Sequence, residues 1–277
     1  MYPRIPVLPG FQERGRDYIH ALSPPMRIDL NADVGEGLAA AGQDPALMSS
    51  ITSANVACGF HAGNPGVMRA TVALARDHGV AVGAHPGFPD LEGFGRRELQ
   101  VAPGDVEDFV VYQVGALAAM AAAQGVRLQH VKPHGALFNM AVRDAALANA
   151  VARAAAAIDR TLILFGLPGS ELVEAGRRAG LRTACEAFAD RAYQPDGTLV
   201  PRSHSGAVIQ DPEAVVRRAV RMVCEQTVDA IDGTAVPLTI DTLCVHGDTP
   251  GAADLAARIR AALVASGVEV VAVGRIS

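Results

Sequence analysis

The stretch RIDLNAD, residues 27–33, decides the fold of this 277-residue chain. Because side chains alternate between the two faces of a strand, it presents Asp29, Asn31 and Asp33 on one face and three apolar residues on the other. In a barrel covered by helices, the apolar face packs on the helices and the polar row points inward. Buried carboxylates are costly unless partners compensate them. If the chain forms such a barrel, the stretch predicts a polar interior whose carboxylates are paired.

Apolar strand-like runs and helical segments alternate from residue 27 to the end of the chain. The predicted strands are 27–33, 51–57, 80–84, 126–132, 161–165, 182–187, 238–245 and 268–273. The predicted helices are 65–78, 104–124, 144–158, 169–179, 211–226 and 251–266. Strands that alternate with helices of about 10–20 residues indicate βαβ units and a parallel sheet. Seven or eight such units favour a closed (β/α) barrel, although the spacing also fits an open doubly wound sheet.

Residues 1–25 differ from the rest of the chain because prolines interrupt them repeatedly. A secretory signal needs an apolar segment of about 7–15 residues after a basic start, and this stretch has none. We expect a flexible N-terminal extension over residues 1–25 and a single barrel domain over residues 26–277. Met26 directly precedes the first strand, so a start of translation at Met26 is the alternative.

The composition narrows the class of protein. Apolar residues make up 50% of the chain and charged residues 19%, which is enough for a sizeable core. The formal net charge of −5 gives no general attraction to phosphate backbones, so we expect no nucleic-acid partner. No apolar run reaches the roughly 20 residues that cross a bilayer, so we expect no membrane association. The widely spaced cysteines lack a zinc motif and fit a reducing compartment, and we expect a cytoplasmic protein.

Residues able to do chemistry follow the predicted strands. In both candidate architectures, binding groups collect at the carboxyl ends of the strands. The candidates at or near these ends are Asn31, Asp33, Glu36, Asn55, His61, His85, His130, Lys132, His134, His246 and Asp248. A single histidine beside glycine or proline is often a turn or packing residue, and Asp248 could simply cap the last helix. Five histidines, a lysine and several carboxylates at one barrel mouth are harder to explain by packing, because each adds a desolvation cost.

Two long loops also carry charged residues. The first, residues 88–97, contains the pair Arg96 and Arg97 among glycines and suits a lid or an anion clamp. The second follows the sixth predicted strand and contains Asp190 and Arg191; at about 18 residues it is too long for a plain connector. A solvated surface turn is the alternative for the first loop.

Several familiar motifs are missing from the sequence. It contains neither a Walker-type G-x-x-x-x-G-K-[ST] loop nor an H-E-x-x-H metalloprotease helix. A G-x-S-x-G nucleophile elbow is missing as well. Serine-hydrolase and P-loop chemistry are therefore not indicated.

Seven segments carry a family resemblance. They are IDLNAD (28–33), TSANVACGFHAG (52–63), GAHP (83–86), GFGRR (93–97), VKPHGAL (131–137), FADRAY (188–193) and VHGD (245–248). In these segments, and in their order along the chain, the sequence resembles the LamB/YcsF family. The loop at 37–42 looks shorter than is usual in the family, and Ala32 stands where the family often has cysteine.

The resemblance implies both a fold and a reaction. The implied fold is a distorted (β/α) TIM-like barrel of the glycoside hydrolase/deacetylase type. The implied activity is ATP-dependent cleavage of the lactam 5-oxo-L-proline (pyroglutamate) to L-glutamate. The implied partners are two further 5-oxoprolinase subunits, B and C. The implied cofactor is ATP with Mg²⁺, held by this chain or by one of the partners.

This chemistry requires a base for water, cationic stabilisers and a proton donor to the ring nitrogen. We predict Asp33, or else Glu36, as the base, and Lys132 and Arg97 as charge stabilisers. The predicted proton-transfer or orienting groups are His61, His85, His134 and His246. The predicted substrate-binding residues are Asn31, Asn55, Arg97, Asp190, Arg191 and Asp248. Lys132 would also neutralise the inward carboxylates.

Two other functions stay open at this point. Asp33, His61 and His85, on successive strand ends, could bind a divalent ion in a deacetylase-like hydrolase that cleaves an amide without ATP. The favoured interpretation assigns no metal to the chain. A non-catalytic scaffold that orders the other subunits is the third possibility, but a scaffold gains nothing from buried acids and histidines.

Overall fold

The computed structural model describes residues 26–37, 44–245 and 251–276. The predicted N-terminal extension lies outside the described residues, and so do the two predicted site residues His246 and Asp248. None of the described helices is both long and apolar enough to span a membrane. The four cysteines are free thiols, as their spacing predicts.

Strands and helices alternate through the described part of the chain. The strands are β1 Arg27–Val34, β2 Ser53–Ala57, β3 Ala81–His85, β4 Leu128–Val131, β5 Ile163–Gly166, β6 Arg182–Phe188, β7 Thr227–Asp229, β8 Ala235–Pro237, β9 Thr242–Val245 and β10 Glu269–Val270. The helices are α1 Asp44–Met48, α2 Pro65–Asp77, α3 Pro103–Ala122, α4 Gly135–Ala141, α5 Ala145–Ile158, α6 Glu171–Arg178, α7 Pro212–Cys224 and α8 Ala252–Ala265. All six predicted helices are confirmed within a few residues; α1, α4 and the β7–β8 hairpin were not predicted.

Seven parallel strands close into a barrel. Their order is β1-β2-β3-β4-β5-β6-β9, and β9 pairs back onto β1 with Asn31 opposite Cys244. This closure decides between the two architectures that the spacing allowed, because an open sheet would leave β1 and β9 with unpaired edges. The distorted (β/α) barrel is therefore confirmed.

The eighth predicted strand does not join the barrel wall. Only Glu269 and Val270 pair, and they pair with the first two residues of β1. The chain then turns, and Val273 packs on Ile163 and Phe165. The C-terminal segment thus covers the amino end of the barrel instead of lengthening its wall, which leaves the carboxyl ends as the open face.

Helix α2 shows how local sequence sets one of the outer elements. The Asn64 side chain accepts a hydrogen bond from the Val67 amide, and Pro65 occupies the first turn, where a missing N–H has no cost. The helix ends before Gly79, whose φ of +68° is a conformation that glycine adopts without strain. Its buried residues recur at helical spacing and face the barrel: Met68, Thr71, Val72 and Ala75.

The Asp29 carboxylate in the lower part of the barrel interior is fully paired. Asp29 on β1 is buried, and its Oδ1 accepts hydrogen bonds from the hydroxyls of Thr52 and Ser53, both at 2.7 Å. Its Oδ2 accepts a third from Thr242 at 2.5 Å. Burial raises the pKa of Asp29 to about 6, although these three bonds oppose the rise. The inward-facing polar row predicted for the first strand is confirmed here.

Candidate active site

Lys132, one residue past β4, is the cationic centre of the upper barrel. Its Nζ lies 2.8 Å from Asp33 Oδ1 and 2.9 Å from Glu186 Oε1, and it also donates to the Cys244 sulfur at 3.1 Å. All four side chains are buried. Burial by itself lowers the pKa of Lys132, but Asp33, Cys244 and Glu186 outweigh it and raise the pKa well above its ordinary value. Lys132 is therefore charged and is the partner that the inward carboxylates required.

Glu186 on β6 is a site residue that the sequence interpretation missed. It is fully buried beside Lys132, and burial raises its pKa, with the Lys132 charge opposing the rise. A signal was available in the strand RTACEAF, residues 182–188, where Ala184, Glu186 and Phe188 share one face. A carboxylate on the inward face of a barrel strand follows the same logic as Asp29 and Asp33.

Two amides predicted to bind substrate instead hold Asp33 in place. The Asn55 side chain donates to Asn31 Oδ1 at 2.7 Å and to Asp33 Oδ1 at 2.9 Å. Asn31 in turn donates to the Thr242 hydroxyl, and the His130 Nε2 donates to Asn55 Oδ1. Both amides are fully buried, and neither lines the cavity above Lys132. Their predicted role as direct substrate ligands is corrected to positioning of the carboxylate.

Three histidines and a glutamate meet beside Asp33: His85 ends β3, and Glu36, His61 and His134 lie in the segments that follow β1, β2 and β4. Glu36 Oε1 lies 3.4 Å from His61 Nε2, 3.5 Å from His134 Nδ1 and 3.9 Å from His85 Nε2. The facing nitrogens of His85 and His134 are 2.9 Å apart. We call these four side chains the histidine cluster. It gathers four of the predicted catalytic residues in one place.

The cluster is rigidly held. His85 donates through Nδ1 to the Lys132 carbonyl at 2.7 Å, and His134 donates through Nε2 to the Phe94 carbonyl at 2.8 Å. The His61 ring stacks on that of His134, with centroids 3.8 Å apart and planes 3° from parallel. Burial lowers the pKa of His61 well below its ordinary value and, with help from His85, that of His134 to about 3. His61 and His134 are thus neutral in the folded chain at pH 7.

Two glycines leave room for these rings. A Cβ on Gly87 would lie 2.7 Å from His61 Nδ1, and one on Gly95 would lie 2.7 Å from the His61 Cβ. Gly95 also has a φ of +63°, which disfavours any other residue. Gly95 in the GFGRR segment and Gly87, which follows GAHP, therefore allow close packing around His61.

A cavity of about 410 Å³ opens above the Lys132 centre and the histidine cluster. Asp33, Glu36, His85 and His134 form its floor, and Phe138, Leu167 and Phe188 add apolar surface. Its cationic lining residues are Arg96, Lys132, Arg143, Arg191 and Arg202. A pocket with several cations above a carboxylate floor suits a small anionic ligand that is to be attacked or protonated at the floor.

The predicted role of Arg97 is wrong for this geometry. Its guanidinium is 59% exposed and pairs with Asp90, outside the cavity. Arg96 lines the cavity instead, with its guanidinium carbon 4.9 Å from the Phe94 ring centre. Neighbouring residues of an extended loop point in opposite directions, so the sequence could locate the arginine pair but not choose between its members.

The long loop after β6 contributes one of its two predicted residues. Arg191 lines the cavity and donates to the carbonyls of Val200 and Ala207 at 2.6 and 3.2 Å, which ties the loop together. Burial lowers its pKa to about 10, which still leaves it charged at pH 7. Asp190 is nearly buried but does not line the cavity, so the structure corrects its predicted role as a substrate ligand.

The ligand set expected for a metal ion also changes. Asp33 Oδ1 is 3.5 Å from His85 Nε2, but Lys132 and Asn55 already hold that oxygen. The group whose donor atoms all lie within 4.8 Å of one another is Glu36, His61, His85 and His134. Asp33 is therefore replaced by Glu36 and His134 in any such set.

The fold and the site define a parallel (β/α) barrel with a cation-rich, titratable cavity at the carboxyl ends of its strands, the location of active sites in such barrels. The profile of the LamB/YcsF family matches residues 28–277, and the chain belongs to this family.

The relatives of the chain agree with this assignment. It is 56% identical to the A subunit of 5-oxoprolinase from Symbiobacterium thermophilum over 253 residues, which cover 91% of this chain and 97% of the relative. It is 53% identical to the corresponding 5-oxoprolinase protein of Bacillus subtilis, with coverage of 89% and 97%. The crystal structure of the lactam utilization protein from Thermus thermophilus superimposes with a TM-score of 0.84 at 52% identity, covering 89% of this chain and 100% of that one.

Proposed function

We propose that this chain acts as the A subunit of an ATP-dependent 5-oxoprolinase, which converts 5-oxo-L-proline to L-glutamate together with subunits B and C in the cytoplasm. The observation that carries the proposal is the cavity, in which arginines face the Asp33–Lys132 pair. 5-Oxoproline is a small anion with one unreactive amide, and its carboxylate suits the arginine wall. Relatives at more than 50% identity that carry the 5-oxoprolinase name support the same substrate.

ATP is needed because a five-membered lactam is a poor electrophile. In the proposed sequence, the terminal phosphoryl group of ATP is transferred to the lactam oxygen and ADP leaves. One water adds to the activated carbon, the C–N bond breaks, and the ring nitrogen takes up a proton. A second water then releases phosphate from the resulting acyl phosphate and yields glutamate. The overall balance is one lactam, one ATP and two waters for one glutamate, one ADP and one phosphate.

The side chains of the cavity match the demands of these steps. Asp33 is the proposed base for water, since its Oδ1 is held by Lys132 and Asn55 and it reaches the cavity floor. Lys132 and the wall arginines are the proposed stabilisers of oxyanion and phosphate charge. Glu36 is the alternative base. ATP with Mg²⁺ is held by this chain or by one of its partners, and nucleotide binding to the separate subunits distinguishes the two.

The test measures glutamate release from 5-oxoproline, with and without ATP, by this chain alone and mixed with subunits B and C. We expect release only from the complete mixture with ATP, and loss of release with Asp33→Asn but not with the exposed control Asp254→Asn. Binding of labelled ATP to each isolated subunit locates the nucleotide.

Three outcomes would overturn the proposal. ATP-independent release by this chain alone would instead favour an amide hydrolase of the deacetylase type. Full activity of a mixture in which this chain carries both Asp33→Asn and Glu36→Gln would favour a scaffold, whereas full activity of Asp33→Asn alone would assign the base to Glu36. Full activity of subunits B and C without this chain would remove it from the reaction altogether.

A further inference from the structure

We propose that the histidine cluster binds one divalent transition-metal ion, with Zn²⁺ as the best match to its donors. The ligands are Glu36, His61, His85 and His134. Three imidazoles and one carboxylate are a donor set suited to zinc and its first-row neighbours, and unlike the oxygen-rich sites that Mg²⁺ and Ca²⁺ prefer. The inference requires only the geometry of these four side chains and not the lactam chemistry proposed above.

The spacing of the donor atoms fits one ion. Four tetrahedral ligands about 2.0–2.1 Å from a zinc ion lie about 3.3 Å from one another. Four of the six donor separations are 2.9, 3.4, 3.5 and 3.9 Å, and all four donor atoms lie within 4.8 Å of one another. Because an imidazole nitrogen donates in the plane of its ring, binding one ion would also turn the His61 or the His134 ring out of their parallel stack. The four side chains come from the end of β3 and from the segments after β1, β2 and β4, so chain proximity does not explain the convergence.

The contact between His85 and His134 brings two acceptor nitrogens together. His85 donates its Nδ1 proton to the Lys132 carbonyl, and His134 donates its Nε2 proton to the Phe94 carbonyl. In the neutral rings, His85 Nε2 and His134 Nδ1 then face each other with lone pairs, 2.9 Å apart. Either a shared proton or a metal ion removes this repulsion. A proton serves two donors, whereas a metal ion serves all four.

His61 supplies an independent observation. The residue is 1% exposed, and neither of its ring nitrogens makes a hydrogen bond to the described residues. A buried polar group without a partner costs free energy, and folding rarely leaves one unless a ligand completes it. The ring stacks on His134, and its Nε2 lies on the Glu36 side, 3.4 Å from Oε1. A bound ion would give this nitrogen its partner.

The surroundings of the cluster resemble those of metal-binding histidines. Such histidines usually donate their second N–H to a carbonyl or a carboxylate, and His85 and His134 both do so. Glu36, His85 and His134 line the cavity, so an ion can enter from solution. Bound there, the ion would polarise an oxygen placed in the cavity.

The test uses the untagged full-length chain without substrate. The chain is stripped with a chelator, and Zn²⁺ is titrated in competition with a chromophoric chelator; Co²⁺ in a second titration reports geometry by its visible absorption. We expect one Zn²⁺ per chain and the intense absorption of tetrahedral Co²⁺. Glu36→Gln and His61→Ala should each weaken binding by at least about tenfold, because each removes a ligand. The exposed control His78→Gln, outside the cluster, should bind as the parent chain does.

Folding of each variant is checked by circular dichroism, and Glu36→Gln preserves the volume of the side chain if His61→Ala proves unstable. Stoichiometric binding lost in folded Glu36→Gln supports the site. No saturable Zn²⁺ binding by the folded parent chain would overturn it. So would binding that is equal in the parent chain and both cluster variants, since the ion would then occupy an adventitious position. None of these readouts depends on 5-oxoproline or ATP.

Discussion

Asp29 and Asp33 lie on the same face of the same strand, yet their surroundings differ. Asp29 is sealed in the lower barrel, where three hydroxyls donate to it. Asp33 is 8% exposed, pairs with the buried Lys132 and reaches the floor of the cavity. The same residue type on one strand is therefore structural at one level and available for chemistry at the other. Height along the barrel axis decides between the two roles.

Packed aromatic rings and the C-terminal segment close the lower part of the barrel interior, and we call this packing the seal. His130 stacks on Phe165 with centroids 4.3 Å apart, and Val273 packs against Phe165 from the closed end. Burial lowers the pKa of His130 to about 3, so the ring is a neutral donor to Asn55 at pH 7. The lower level thus holds hydroxyls, amides, a neutral imidazole and the carboxylate of Asp29, while Lys132 and its carboxylate partners lie nearer the open end.

The largest effect is expected at Lys132, which supports the charged upper level. Lys132→Met should lower the free energy of unfolding by about 3–5 kcal/mol, because Asp33 and Glu186 lose their buried partner. Glutamate formation should be lost as well. Urea unfolding and the activity assay check both. The double variant Lys132→Met/Glu186→Gln should recover part of the stability, and unchanged stability of the single variant would contradict this account.

The second test concerns the proton on Asp29. Its folded pKa of about 6 lies above the ordinary 3.8, so between these values the folded chain keeps a proton that the unfolded chain has lost. The stability from this group is complete below pH about 4 and is lost as the pH rises through about 6, by about 3 kcal/mol in total.

Asp29→Asn should remove this decline. The difference in unfolding free energy between parent and variant should then shrink or reverse from pH 4 to pH 7. Urea titrations at four pH values measure the difference, with the exposed Asp254→Asn as the control. A difference independent of pH would show that folding leaves the pKa of Asp29 at its ordinary value.

The third test disturbs the seal itself. A Cβ on Gly83 would overlap the His130 ring, which cannot withdraw because Phe165 supports it. Gly83→Ala should therefore lower the free energy of unfolding by about 1–3 kcal/mol. Gly115→Ala on α3, where no atom lies within 4 Å of the new Cβ, should be neutral or stabilising by up to about 1 kcal/mol. Equal results for the two variants would disprove the close packing at His130.

The smallest effect on stability is expected at the cavity wall. Arg143 lines the cavity, and its side chain donates an exposed hydrogen bond to Thr198 at 3.2 Å. Arg143→Ala should change the free energy of unfolding by less than about 0.5 kcal/mol. It should raise the KM for 5-oxoproline in the complete enzyme roughly two- to five-fold, the range of an exposed charge contact. The exposed Arg217→Ala is the control, and an unchanged KM would remove Arg143 from the substrate wall.

Local pattern was sufficient for much of the fold and part of the site. Period-2 alternation in residues 27–33 predicted the inward polar row, and strand–helix alternation predicted the barrel. Lys132 was predicted as the partner of the carboxylates, because a buried negative charge demands one. The run 268–273 was misinterpreted because apolar alternation indicates burial but does not say whether the segment lengthens the wall or covers its end.

The misses at the site share a cause. Loop packing decides that Arg96 rather than Arg97 lines the cavity, and that Asp190 does not. The pairing of neighbouring strands decides that Asn31 and Asn55 lie beside Asp33. Local sequence patterns contain neither kind of information. Glu186 could have been found, since a lone carboxylate on an inward strand face repeats the pattern of β1. The predicted metal-ligand set contained Asp33 in place of Glu36 and His134. Finding the two replacements required distances between residues that follow different strands.

The sequence by itself determined which residues point into the barrel, because backbone geometry forces side chains of a strand to alternate. It also determined that these residues need partners, because desolvation penalises any buried charge left alone. Only the tertiary structure decided which residues are the partners and which end of the barrel is open to the cavity. Both depend on barrel closure and on the position of the C-terminal segment, which bring together groups that are up to 242 residues apart along the chain.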